Sequence, residues 1–221
     1  MPVDGPAYPV NLQLVGRPCL VVGAGRVAAQ KVDGLLECGA EVHVIAVSVG
    51  PAVQAHVDAG DITIERREYQ SGAGAGHPGD AAGYRLVIAA TDDPAVNRAV
   101  YLDGEAAGVW VNSADDPANC AFTLPARVRQ GPLLVTFSTG GRSPALATWL
   151  RRRFTEEIGP DYLTLLDLLA SERSQRQAAG QPTEGLDWQR ALDSGMLDRI
   201  RTGRVAEAKD LLRACLSSSS D

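Results

Sequence analysis

The sequence is poor in the features that mark several protein classes. Aromatic residues make up only 5% of the 221 residues, and there are 2 Met, 3 His and 4 Cys. No apolar run approaches the roughly 20 residues needed to span a bilayer. The opening MPVDGPAYPV lacks the basic-then-apolar layout of a secretory signal, which predicts a cytoplasmic protein with no membrane partner. Cys19, Cys38, Cys120 and Cys215 are scattered, three of them inside apolar patterns, and form no C-x-x-C pair. Reduced structural thiols are expected rather than a disulfide framework. His43, His56 and His77 have no ligand spacing, so no metal site is expected and none is assigned a catalytic role. A formal net charge of -6 argues against a general nucleic-acid binder.

What is present is an ordinary globular composition, 45% hydrophobic and 22% charged, in a chain long enough for one good core and a second, smaller module. Cys19 to Gly23 reads as a buried strand, and from Arg26 to Cys38 the apolar positions Val27, Val32, Leu35 and Leu36 fall at helical spacing up to Gly39. EVHVIAV and DITIERR read as further strands around a short helix, giving β-α-β-α-β. YQSGAGAGHPGDAAGY, Tyr69 to Tyr84, has no periodicity and reads as a long surface loop. RLVIAAT, a helix from DDPAVNRAVYLDGEAAG, and VWVNSAD resume the rhythm, and strands alternating with helices imply an α/β fold with a parallel, doubly wound sheet. The rhythm changes near residue 120. FTLPARVRQGPLLVTFST reads as two strands joined at Gln130-Gly131-Pro132, and nearly everything after Ser143 is helical, with RTGRVAEAKDLLRACL as the last helix.

Gly23-Ala24-Gly25-Arg26-Val27-Ala28 fits G-x-G-x-x-A between a strand and a helix. Gly23 permits the tight turn, Gly25 lets the backbone approach a pyrophosphate, and the helix N-terminus offers free N–H donors. A tight structural turn is the competing reading. The acidic residue that clamps a ribose is missing from the end of the second strand, where Ala46-Val47-Ser48 stands, and no Arg sits there to accept a 2′-phosphate, which favours NAD over NADP. Thr91-Asp92-Asp93-Pro94 reads as a helix cap with proline in the first turn, and its place at a strand end also lets Thr91 and Asp92 touch the nucleotide. Asn112 and Asp115 come off the next strand end; Asp-Asp-Pro is ordinary turn chemistry, but a carboxylate there could accept a proton. Thr139-Gly140-Gly141-Arg142-Ser143-Pro144 combines a cap, Ser143, with glycines that free backbone N–H groups for an anion. Arg127, Arg129, Arg142, Arg151, Arg152 and Arg153 cluster nearby, as solvated surface or as receivers of a polycarboxylate ligand.

Taken together, YPVNLQLVGRPCLVVGAGRVAAQKVDGLLECGAEVHVIA, AATDDPAVNRAV, VNSADD and LPARVRQGPLLVTFSTGGRSPALATWLRRRF resemble the precorrin-2 dehydrogenase family, the dehydrogenase/ferrochelatase module of siroheme synthase. The resemblance covers residues 8 to 160, and T-G-G-x-S-P is its most discriminating block. It implies NAD-dependent oxidation of precorrin-2 to sirohydrochlorin, with Fe²⁺ as a further substrate in the members that go on to make siroheme. It also implies a homodimer with a Rossmann domain (residues 1–120), a small α+β dimerisation and substrate region (121–158) and a helical C-terminal region (159–221). By the same resemblance Asp115 is the general base, and Gly25, Arg26, Val27, Val47, Ser48, Thr91 and Asn112 meet the NAD. The substrate's eight carboxylates give Arg127, Arg129 and the Thr139-Gly140-Gly141-Arg142-Ser143 loop a ligand. The Ser71 to Gly83 loop is longer than the family's, and Thr139 stands where some members have Ser. A non-enzymatic NAD(H)-sensing Rossmann regulatory domain is the alternative; it would explain the glycine loop but has no use for the arginine-flanked Thr-Gly-Gly loop.

Overall fold

β1 (Pro18–Val22) has the sequence PCLVV, and every residue after Pro18 is buried, as a strand covered on both faces must be. In the computed structural model, which describes residues 6–74, 77–114 and 116–217, it is the central strand of a five-stranded sheet. The others are β2 (Glu41–Ile45), β3 (Ile62–Glu65), β4 (Leu86–Ala89) and β5 (Trp110–Ser113). The order is β3-β2-β1-β4-β5 and every pair is parallel, the doubly wound arrangement that the alternation of strands and helices predicts. In such a sheet the crevice outside the carboxyl ends of the strands, where the order reverses beside β1, is the ligand position.

Three helices cover the sheet: α1 (Arg26–Leu36), α2 (Pro51–Ala59) and α3 (Pro94–Ala107). Strand alternation divides the core. Cys19 and Val21 join Ala28, Val32 and Leu35 of α1 in one cluster, while Leu20 and Val22 join Val87, Val100 and Val111 in another that includes α3. The helix limits follow local chemistry. Asp93 caps α3 by accepting from Ala95 N at 2.8 Å, and Gly108, with φ 67°, closes it. α1 ends at Leu36, two residues before the predicted limit, because the chain tightens through Glu37 to a left-handed Gly39 (φ 72°) and Ala40 N turns back onto Leu35 O at 3.1 Å.

The stretch from Tyr69 to Tyr84 has no helix or strand among its described residues, but it is more than surface. Asp103 of α3, 5% exposed, accepts from Tyr69 Oη at 2.8 Å, Ser71 Oγ at 3.1 Å and Gly72 N at 3.2 Å. Asp80 holds Arg67 in a two-pronged pair at 2.6 and 3.0 Å, and Ala81 is fully buried. The loop is pinned at both ends to polar and apolar anchors.

The chain divides into two compact units, Met1–Leu124 and Pro125–Asp221. The second opens with an antiparallel hairpin, β6 (Ala126–Gln130) and β7 (Leu133–Phe137), whose turn uses Gly131 at φ 54°. α4 (Pro144–Glu157) and α5 (Asp161–Ala178) follow, then the short α6 (Trp188–Asp193) and α7 (Met196–Arg201), and finally α8 (Val205–Ser217). The last helix starts later than predicted: Thr202 caps α7, and Gly203 (φ 76°) breaks the run before Val205. Leu165, Ala191, Met196, Ile200, Ala208 and Leu212 form a core among α5 to α8.

Candidate functional site

The glycine loop occupies the carboxyl end of β1. Gly23 has φ 101°, and a Cβ there would lie 2.4 Å from Ala90 O, so the position admits only glycine. Gly25 differs. A Cβ on it would meet nothing within 4 Å, which leaves open space directly over the N-cap of α1. No side chain caps that helix, so its first N–H groups remain free to meet an anion. The loop after β2 closes against this one: Gly50 N donates to Ala24 O at 2.9 Å, and Gly23 N donates to Ile45 O at 2.8 Å. Val47 is 70% exposed and Ser48 is exposed, beside the glycine loop as a bound ribose requires. Open space over Gly25, an uncapped helix end and this exposed strand end all fit a dinucleotide.

The other side of the crevice is built by β4 and β5. Thr91 is half-buried; its hydroxyl donates to Asn97 Oδ1 at 2.8 Å, and Asn97 Nδ2 donates back to Thr91 O at 3.0 Å. Asn97 is 6% exposed and clamps the strand end that faces Gly23. It escapes sequence reading because one polar residue among the apolar positions of a helix carries no signal of its own. Asp92 is exposed. Asn112 is buried and donates to Phe122 O at 2.9 Å, which stitches β5 to the segment after the turn.

Cys120 organises that turn. Its sulfur accepts from Ser113 N at 3.3 Å and donates towards Ser113 O and Asp116 O, each at 3.2 Å. Burial, the leading cause, raises the thiol above its ordinary value. Asp116 accepts from Ala118 N at 3.2 Å and from Asn119 Nδ2, while Asn119 Oδ1 accepts from Arg98. Asp115, the predicted base, lies outside the described residues. Between α1 and this turn is a cavity of about 400 Å³, lined by Arg26, Gln30, Lys31, Asn112, Asp116 and Cys120 among others.

All the described cofactor residues predicted from sequence, Gly23, Gly25, Arg26, Val27, Val47, Ser48, Thr91, Asp92 and Asn112, fall in the first unit at this sheet edge. The predicted substrate residues fall in the second. Arg127 and Arg129 share one face of β6, with Arg127 opposite Thr136 at the open end of the hairpin and Arg129 opposite Leu134 nearer its turn. The following loop has two successive left-handed glycines, Gly140 (φ 60°) and Gly141 (φ 74°). Thr139 Oγ1 accepts from Ser143 N at 3.1 Å, and Ser143 caps α4 by accepting from Leu146 N at 3.2 Å. The Ser143 hydroxyl is thus committed to the helix, while Arg142 is exposed. Among the described residues no group of three or more His, Cys, Asp or Glu could hold a metal ion.

A family model, NAD_binding_7, described as "Putative NAD(P)-binding", matches residues 10–126. The siroheme synthase of Nitrosococcus oceani is 38% identical over 210 residues, covering 94% of this chain and 43% of that protein. That of Methylococcus capsulatus is 38% identical over 206 residues, 92% of this chain and 42% of its own length. The chain therefore spans less than half the length of these relatives. Among solved structures, "SirC, precorrin-2 dehydrogenase" aligns with a TM-score of 0.67 at 24% identity, over 94% of this chain and all of that one, a likeness of fold.

Proposed function

The chain belongs to the NAD(P)-binding family whose model covers residues 10–126, and from that premise we propose that it is a precorrin-2 dehydrogenase, oxidising precorrin-2 to sirohydrochlorin with NAD⁺. The observation that carries this reading is the open, uncapped glycine-loop helix at the carboxyl edge of the parallel sheet. Similarity to siroheme synthases over nearly the whole chain supports the choice of substrate. NAD is chosen over NADP because Ala46-Val47-Ser48 offers no cation for a 2′-phosphate.

The dinucleotide, when bound, supplies the hydride acceptor. Gly25 and the first turn of α1 hold its phosphates, and Val47 and Ser48 flank its ribose. Asp115 takes the proton that leaves the macrocycle, so that each turnover removes one hydride and one proton from the substrate, two electrons and two protons in all. Cys120 contacts both Ser113 and Asp116 through their carbonyl oxygens. Arg127, Arg129 and the glycines of the Thr139 to Arg142 loop receive substrate carboxylates. Holding donor and acceptor in register is worth on the order of 7–11 kcal/mol of barrier.

The active species is a homodimer. α4 has no buried residue, and Leu146 and Trp149 are 47% and 48% exposed on it, an apolar face that a second copy would cover. Four free cysteines suit a reducing cytoplasm, and no helix of the described residues is long and apolar enough to cross a membrane.

The test is an anaerobic assay with enzymatically generated precorrin-2 and NAD⁺, following NADH and the sirohydrochlorin spectrum before and after Fe²⁺ is added. NADH and sirohydrochlorin should appear together. A rate with Fe²⁺ above the protein-free control would add metal insertion, with Fe²⁺ as substrate. Asp115→Ala should lower turnover at least about 100-fold, the usual range for a general base, while NADH binding is retained. Full activity in that variant removes the assignment, and NADH binding without any turnover in the wild type favours a nucleotide sensor.

A further inference from the structure

We propose that Lys31, together with Arg26, receives a carboxylate arm of the substrate in the cavity beside the glycine loop. This rests on the dehydrogenase reading and adds to it a specificity-determining cation in the nucleotide unit, apart from the arginines of the second unit.

The cavity measures about 400 Å³ and is walled by α1 on one side and by the turn after β5 on the other. Among the described residues its charged groups are Arg26, Lys31 and Asp116. Asp116 turns its carboxylate to its own loop, where Ala118 N and Asn119 Nδ2 donate to it. Among the described residues neither Arg26 nor Lys31 makes an ion pair or a side-chain hydrogen bond. In a chain of net charge -6, two uncommitted cations facing one concavity is a local inversion of sign.

Lys31 is directed into this space. It is half-buried beside the fully buried Val32 and lines the same cavity as Cys120 and Asp116 of the β5 turn. Side chains of a helix lean towards its N-terminus, so the long Lys31 stem carries its charge back along α1 over Val27, which lines the same cavity. The Arg26 and Lys31 Cα positions are five residues apart, about 7.5 Å along the axis, so Lys31 lies beyond the first-turn N–H groups that take a pyrophosphate. A compact ammonium in a cavity that also holds the Arg26 guanidinium suits a carboxylate. The ligand class is therefore a polycarboxylate macrocycle, not the dinucleotide.

The experiment is a pair of fluorescence titrations of purified protein, one with sirohydrochlorin and one with NADH, on wild type, Lys31→Gln, Lys31→Met and Lys31→Arg, with thermal melts alongside. Loss of a hydrogen bond to a charged partner should weaken sirohydrochlorin about 10- to 100-fold in the Gln and Met variants. NADH affinity and melting temperature should stay at wild-type values, Arg should restore most of the loss, and in turnover the defect should fall on KM for precorrin-2 more than on kcat. Unchanged sirohydrochlorin binding overturns the proposal, as does a matching loss of NADH affinity, which would give the cation to the cofactor. A wild-type protein that binds NADH but no sirohydrochlorin overturns the dehydrogenase reading and the proposal with it, a result visible before any substitution is made.

Discussion

The first unit covers both faces of its sheet, whereas the hairpin and first helix of the second bury almost nothing. Each of the strands β1 and β4 is apolar nearly end to end and packed on both sides. In β6 only Val128 is buried, β7 is half-buried or exposed throughout, and α4 has no buried residue. Beyond them α5 to α8 again close a core of their own. Apolar side chains that a chain leaves half-covered between two good cores are the mark of an association surface. The nucleotide unit closes its own core, and the hairpin with α4 is where the proposed second copy would sit.

The sharpest way to break this contrast is to truncate matched leucines. Leu20→Ala, at a fully buried position, should cost about 2–5 kcal/mol in urea unfolding. Leu134→Ala on β7, half-buried, should cost under about 1 kcal/mol at concentrations where the protein is monomeric. Equal losses would mean that the hairpin is as much a core as the sheet. Next in size is Gly23→Ala, where a Cβ meets Ala90 O and φ is positive. It should destabilise by about 1–3 kcal/mol and abolish NADH binding measured by calorimetry. Retained binding would separate the loop's shape from its ligand.

Trp149→Glu acts on the other side of the comparison. It should dissociate the proposed dimer in sedimentation while leaving NADH affinity unchanged and monomer stability within about 0.5 kcal/mol. A variant that still sediments as a dimer would move the interface away from α4. The smallest effect belongs to His56, which joins α1 to α2 and the following turn through Asp61 at 3.0 Å and Asp33 at 2.8 Å. These hydrogen bonds, that to Asp61 first, raise the imidazole above its ordinary 6.5. The folded state therefore binds the proton more tightly, and the stabilisation is complete below the ordinary value and is lost as pH rises through the raised one. In solvent this is a few tenths of a kcal/mol. His56→Gln should flatten the pH dependence of the melting temperature over that window, and an unchanged profile would locate the titration elsewhere.

The glycine loop, the caps at Asp93 and Ser143, and the hairpin turn at Gly131 are legible in the sequence because each depends on residues a few positions apart: a positive φ, a side chain two or three residues from an N–H, a period of two or 3.6. Strand alternation with helices also implies the parallel sheet, since short parallel connections need a crossover helix. The residues missed on reading are those whose partners lie far along the chain. Asp103 reaches back more than 30 positions to Tyr69, Ser71 and Gly72, so a stretch that reads as free surface is pinned. Asn97 and Cys120 resemble any polar or apolar residue until Thr91 and Ser113 are brought beside them. Lys31 carries no signal of its own until β5 delivers its turn to the same cavity.

Sequence by itself determined the elements, their order and the anion-binding loop, because backbone conformation and hydrophobic period act over a handful of bonds. Which side chains face one another across the crevice, and which apolar face stays uncovered, was decided only by tertiary structure. Those outcomes depend on which strands become neighbours and how deeply each side chain is withdrawn from water, and burial belongs to the whole packed chain rather than to any stretch of it.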